Sequence, residues 1–195
     1  MNTIQRAKNT LMTPKAEWEL ISEENSGHVK LLTGYLIPLA LIPAIAGFIG
    51  YGLIGYSVIG IHIGSIGFGI RQALVSFIST VGGVYLSAWI ISFLADKFDS
   101  LKSFDKAFGL VAYSYTPMCI AGIFLIYTPL SFLVGLGGLY GLYLMYVGLS
   151  PMLKTPAEKK TPFFLVSLLA VALVSVILSA ILGAVIISSM RTFIY

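Results

Sequence analysis

Five stretches of this chain, at about 31–56, 72–95, 107–126, 129–149 and 162–190, contain no Asp, Glu, Lys or Arg. Each is long enough to cross a bilayer, because about 20 mostly apolar helical residues span ~30 Å of hydrocarbon. A charged side chain at that depth is costly, which explains why the stretches lack them. The composition agrees. Of the 195 residues 57% are hydrophobic and 10% charged, and the mean hydropathy is +0.93, whereas a soluble domain carries about 25% charged residues. The apolar surplus must face lipid. The expectation is an all-α integral membrane protein. Residues 31–195 form a bundle of five transmembrane helices, and residues 1–30 a short cytoplasmic, amphipathic N-terminal helical segment.

Basic residues fall unequally in alternate loops. Arg6, Lys8, Lys15 and Lys30 precede the first span, Lys97, Lys102 and Lys106 lie in the 96–106 loop, and Lys154, Lys159 and Lys160 in the 151–161 loop. Only Arg71 and Arg191 fall on the other side. Positive charge stays in the cytoplasm, so the N-terminus is predicted inside and the C-terminus outside. All eight acids share the cytoplasmic side, which would make the whole charged surface cytoplasmic. The net charge of +4 therefore reports orientation. Nucleic-acid binding needs a contiguous basic patch to track phosphates and is not expected. The first 30 residues hold no apolar run of signal-peptide length, so the first span is expected to do the targeting.

Five of the eight prolines follow threonine. Threonine can cap a helix and proline suits its first turn. Thr13-Pro14 predicts a helix through Glu24, and Thr128-Pro129 and Thr161-Pro162 predict the starts of the fourth and fifth spans. Ahead of Thr13, the residues Ile4, Ala7, Leu11 and Met12 share one helical face, with Arg6 and Lys8 elsewhere. With Trp18 and Ile21 they predict either a segment lying on the membrane surface or a helix packed on the bundle. Between Ser57 and Arg71 two alternating runs flank Gly64-Ser65, a pair suited to a two-residue turn. They predict a short β-hairpin, against an irregular glycine-rich loop or a continued first helix.

Thr116-Pro117 is the exception among these pairs, because it lies mid-span in Tyr113-Ser114-Tyr115-Thr116-Pro117. Proline removes a helical hydrogen bond, and nearby hydroxyls can satisfy the freed carbonyl. Two readings follow: a repaired kink, or a broken helix lining a polar cavity as in transporters. Tyr140, Tyr143 and Tyr146 follow at helical spacing, either as an interfacial belt or as partners of Tyr113 and Tyr115. The candidate polar site is thus Tyr113, Ser114, Tyr115, Thr116, Pro117 and Tyr143. Gly137 and Gly141, then Ser175, Ser179 and Gly183, recur every four residues, a spacing that lets helices approach closely.

No catalytic motif is present. There is no HExxH, GxSxG or P-loop, and no acid lies at membrane depth. His28 and His62 are predicted on opposite sides, and the lone Cys119 reads as a small buried hydrophobe. No cofactor, metal site or enzymatic activity is expected.

The opening Arg6-Ala7-Lys8-Asn9 and Thr13-Pro14-Lys15-Ala16-Glu17-Trp18-Glu19 resemble the prokaryotic branch of the Yip family of Rab-GTPase-interacting membrane proteins. So do Tyr113-Ser114-Tyr115-Thr116-Pro117, Leu139-Tyr140-Gly141-Leu142-Tyr143, Tyr146-Val147-Gly148-Leu149 and Lys154-Thr155-Pro156-Ala157-Glu158-Lys159. The order of these segments, over nearly the whole chain, carries the resemblance. It implies five spans, a cytoplasmic N-terminus and no catalytic residues. Eukaryotic members bind prenylated small GTPases. The compact loops and short N-terminal region here look bacterial, which implies an inner-membrane protein without a Rab cycle. The functional expectation is a scaffold or adaptor at the cytoplasmic face, the alternative a small transporter or channel for a lipid or amphipathic solute. Expected partners are membrane lipids and a cytoplasmic or membrane protein, with homo-oligomerisation left open.

Overall fold

The computed structural model describes residues 2–24, 26–58 and 61–191, with residues 57, 58, 61–63, 178, 179 and 181–191 described by their backbone alone. The fold is all-α apart from one two-stranded ribbon. Two short helices, α1 (Thr3–Met12) and α2 (Pro14–Glu23), form an N-terminal hairpin. Helices α3 (His28–Ile54), α4 (Ile66–Phe98), α5 (Phe104–Ile126), α6 (Thr128–Leu153) and α7 (Ala157–Arg191) follow. These five, among the described residues, are long and apolar enough to cross a membrane.

The helices follow local chemistry. In α3, Pro38 has no N–H to offer the Gly34 carbonyl. The helix widens into a π turn over Leu32–Leu36, and the Thr3 hydroxyl donates to that carbonyl at 2.9 Å. Helix α4 begins where the Ser65 side chain accepts from the Phe68 N–H, which satisfies one of the orphan donors of the first turn. The predicted ribbon exists, with a different register. Strands β1 (Tyr56–Val58) and β2 (Ile61–Ile63) pair antiparallel, with Ser57 opposite His62. The strands are therefore joined ahead of Ile61 and not at Gly64-Ser65. The second alternating run, Ile66, Phe68 and Ile70, is the start of α4, because the serine cap takes precedence over strand periodicity. Helix α7 likewise starts five residues before Pro162, which sits in its second turn.

Fully buried large side chains include Trp18, Ile91, Phe108, Leu149, Leu153 and Phe163. They concentrate toward the charge-rich end of the bundle. Elsewhere Leu74, Ile78, Leu86, Leu139, Leu169 and Leu173 are exposed, as a lipid-facing surface requires. The chain is a multi-pass membrane protein.

The charge-rich end is tied together across helices. The Leu101 N–H donates to the Leu153 carbonyl at 2.7 Å, and the Ser100 hydroxyl to Thr155 at 2.9 Å. Asp105 accepts from the His28 backbone N–H at 2.9 Å and lies 2.6 Å from its Nδ1, capping α3. The Lys106 ammonium donates to the carbonyls of Ser22 and Glu24 at 2.6 and 2.9 Å, a cation at the C-terminal end of α2 where the helix dipole favours it.

Candidate functional site

The N-terminal hairpin does not lie flat on a surface. It packs into the bundle. The Tyr140 hydroxyl donates to the Leu11 carbonyl at 2.7 Å, and Tyr140 stands thirteen residues from Leu153, the end of α6. At about 1.5 Å per residue the tip of the hairpin reaches about 20 Å down the bundle. Each arm buries the same pattern: Arg6, Ala7 and Thr10 on α1, then Glu17, Trp18 and Ile21 on α2.

A charged residue heads each buried stripe, and the two charges meet. Arg6 Nη1 donates to Glu17 Oε1 at 2.7 Å, with side-chain exposures of 7% and 3%. Arg6 Nη2 donates to Glu24, and Asn9 Nδ2 to Glu17 Oε2 at 3.1 Å. Burial works against charge on Arg6, but the hydrogen bond to Glu24 and the nearby acids outweigh it and raise the guanidinium pKa. The ion pair lies over Tyr113, whose ring centroid is 6.0 Å from the guanidinium carbon. Trp18 packs edge-on against the same ring at 6.1 Å. Its indole fills a notch at Gly148, where a Cβ would lie 2.6 Å from Trp18 Cε2. Not every charge is therefore at the surface, as the loop count implied. Arg6 and Glu17 are inside, because each neutralises the other.

The predicted polar run surrounds a real break. Helix α5 is interrupted at Tyr115, between the segments Phe104–Ser114 and Thr116–Ala121. Its side chains do not gather around one cavity. Tyr113 points to the hairpin and stacks at a tilt on Tyr35, centroids 4.6 Å apart. The Ser114 hydroxyl donates to the Leu110 carbonyl at 2.7 Å. Thr116, fully buried, shares a 2.8 Å hydrogen bond with the Tyr35 hydroxyl on α3. Tyr115 turns the other way, its hydroxyl 3.7 Å from where a Gly83 Cβ would stand. Ser114 and Tyr115 line an apolar crevice of about 310 Å³ between α5, α6 and α7. Pro117 is buried against α6, where Gly137 and Gly141 stand. A Cβ on Gly137 would meet the Pro117 carbonyl oxygen at 2.7 Å, and one on Gly141 the Ser114 oxygen at 2.5 Å.

Tyr143 is 45% exposed and stands apart from the break. With Lys15, Glu19, Glu23, Tyr146 and Lys160 it lines a groove of about 890 Å³ between α2, α6 and α7. The Lys160 ammonium lies 4.6 Å from the centroid of the Tyr146 ring. Ser175 lies on α7 and is half-buried. The side chain of Ser179, and the surroundings of Gly183, lie outside the described residues.

Sequence reasoning missed Arg6, Glu17 and Tyr35. The sequence reading puts Arg6 off the apolar face of Ile4, Ala7, Leu11 and Met12, but the buried face of α1 is Arg6, Ala7 and Thr10, with Ile4 and Met12 exposed. Nothing local marked Tyr35.

The Tyr35–Thr116 bond makes a direct prediction. Thr116→Val should leave the tyrosine hydroxyl buried without a partner and cost about 1–3 kcal/mol, read as a lower melting temperature in detergent. Adding Tyr35→Phe should recover most of the loss. An unchanged melting temperature for the single variant would mean that water already reaches this bond.

The five apolar helices with an inserted amphipathic hairpin define a multi-pass helical membrane protein. The Yip1 domain model matches residues 8–187, and the chain belongs to that family. Neither the curated proteins nor the solved structures contain a match to it.

Proposed function

We propose that this protein is a non-enzymatic scaffold or adaptor of a bacterial inner membrane. Its N-terminus lies in the cytoplasm and its C-terminus outside. The N-terminal hairpin and the 96–106 and 151–161 loops together form one cytoplasmic surface for a cytoplasmic or membrane protein.

The groove at Tyr143 carries this reading. It has a rim of mixed charge, Lys15, Glu19, Glu23 and Lys160, and a wall of tyrosines. Tyrosine offers large contact area with a polar tip and is favoured at protein interfaces. Helix α2 is held to α1 by the buried Arg6–Glu17 pair and α6 to the 96–106 loop by the Leu101–Leu153 backbone hydrogen bond, so the groove is preformed and binding would spend little on ordering it. The residues at the break support the same reading over transport. Thr116 and Cys119 have no exposure, and the crevice at Ser114 and Tyr115 is apolar. A polar solute path would need hydrated hydroxyls there.

Affinity purification from the native membrane, with lipids retained, tests the proposal. The charge reversals Lys15→Glu and Glu19→Lys fall on exposed side chains and should leave the melting temperature unchanged. A protein retained by the wild type should be lost from this variant. Equal retention by both, or no retained protein, would refute the adaptor role of this groove.

A further inference from the structure

On the α1 side of the hairpin two cavities meet. The first, about 440 Å³, is polar and bounded by Arg6, Glu24, Lys30, Tyr35 and Tyr113. The second, about 360 Å³, is an apolar groove between α1 and the bundle, past Ala7, Leu11, Leu39, Ile42 and Ile120. Thr3 belongs to the walls of both.

Three observations point to a ligand. Tyr113 is 5% exposed, and its hydroxyl, in the wall of the polar cavity, has no hydrogen-bond partner among the described residues. The hydroxyl is not closed off, and it can be reached from that cavity. The π turn Leu32–Leu36 supplies another part of that wall through Gly34 and Tyr35, and such turns occur frequently at functional sites. Finally, not every cation here is paired. Glu17 and Glu24 both engage Arg6, while Lys30 in the polar wall and Lys8 beside the groove form no ion pair among the described residues.

The two cavities are ordered as a lipid leaflet is ordered. Lys30 stands at the charge-rich end of α3, and Ile42 twelve residues further on, about 18 Å deeper along the axis. We propose that the hairpin and α3 together hold one anionic phospholipid, its phosphate among Arg6, Lys30 and the Tyr113 hydroxyl and one acyl chain in the groove beside Leu39 and Ile42. Arginine has five N–H donors, so its bonds to Glu17 and Glu24 leave others for a phosphate oxygen. The bound lipid would complete the wall between hairpin and bundle. This inference stands independently of the adaptor reading.

The test is native mass spectrometry of the protein released from nanodiscs of phosphatidylglycerol and phosphatidylcholine in equal amounts. The wild type should retain one phosphatidylglycerol in preference to phosphatidylcholine. Tyr113→Phe with Lys30→Gln should weaken retention at least about tenfold, the scale of one charge-assisted hydrogen bond. This variant should fold, since the lost hydroxyl has no internal partner and Lys30 is exposed. Ile42→Trp, which fills the groove and leaves the polar cavity untouched, should evict the lipid as well. Equal retention of the two lipids, or unchanged retention in both variants, would overturn the proposal. A thermal-shift series separates the two sources of phosphate. Phosphatidylglycerol should raise the melting temperature and inorganic phosphate should not. Equal stabilisation by inorganic phosphate would make the cavity a free-anion site and overturn the lipid assignment.

Discussion

Replacing Arg6 by methionine should destabilise this protein by about 3–5 kcal/mol, the cost of leaving one partner of a buried ion pair uncompensated. The stranded group is Glu17, whose side chain is 3% exposed and 2.7 Å from the guanidinium. Asn9 would still donate to its other oxygen, but a neutral donor does not neutralise the charge. Glu24 suffers less, because its side chain is 42% exposed and water can solvate it. The double variant Arg6→Met with Glu17→Met should recover most of the loss, since a well-packed apolar pair commonly replaces a buried ion pair without penalty. Equilibrium unfolding in detergent measures both variants. A loss below about 1 kcal/mol for the single change, the scale of an exposed pair, would show that the hairpin is not docked in solution. The same experiment reports on how firmly the N-terminal arm is held, because no other interaction there among the described residues joins two full charges out of water.

Gly141→Leu should be among the most damaging changes within the spans. A Cβ at this position would lie 2.5 Å from the Ser114 carbonyl oxygen. That neighbour is backbone, and it is pinned at the break in α5, so it cannot swing aside as a side chain would. Overpacking typically costs 1–3 kcal/mol, and about the upper end is expected here, because the remaining leucine atoms must also be accommodated between two helices. Helix α6 would separate from α5 and carry with it Tyr140, which holds the hairpin tip at Leu11. Gly135→Leu is the matching control. It lies on the same helix with nothing within 4 Å of its Cβ, so its melting temperature should stay level or rise through better helix propensity. If both variants melt alike, α6 does not approach α5 in the way described.

The membrane class of this fold was legible because it rests on a summed quantity. Some twenty consecutive residues must each be tolerable in hydrocarbon, and five such runs cannot arise by local accident. The break near Pro117 was equally legible, because a missing N–H acts on its own turn whatever surrounds it. The Thr13-Pro14 start of α2 is of the same kind. The ribbon was half legible. Alternation and glycine pointed to a hairpin, but register depends on which donors a neighbouring cap claims, and Ser65 assigned Ile66 onward to α4.

What became of the polar side chains was not legible. Tyr113, Ser114, Tyr115 and Thr116 are consecutive, yet they face the hairpin, their own preceding turn, α4 and α7, and α3 respectively. Successive helical residues are rotated by about 100°, and only the placement of the neighbouring helices decides what each direction meets. Tyr35 and Thr116 are 81 residues apart, and no sequence spacing announces such a pair. The N-terminal arm shows the division most clearly. Its sequence determined two short amphipathic helices joined at Thr13-Pro14. That Arg6 and Glu17 turn inward was decided by the tertiary structure, because a buried charge is tolerated only where an opposite charge meets it.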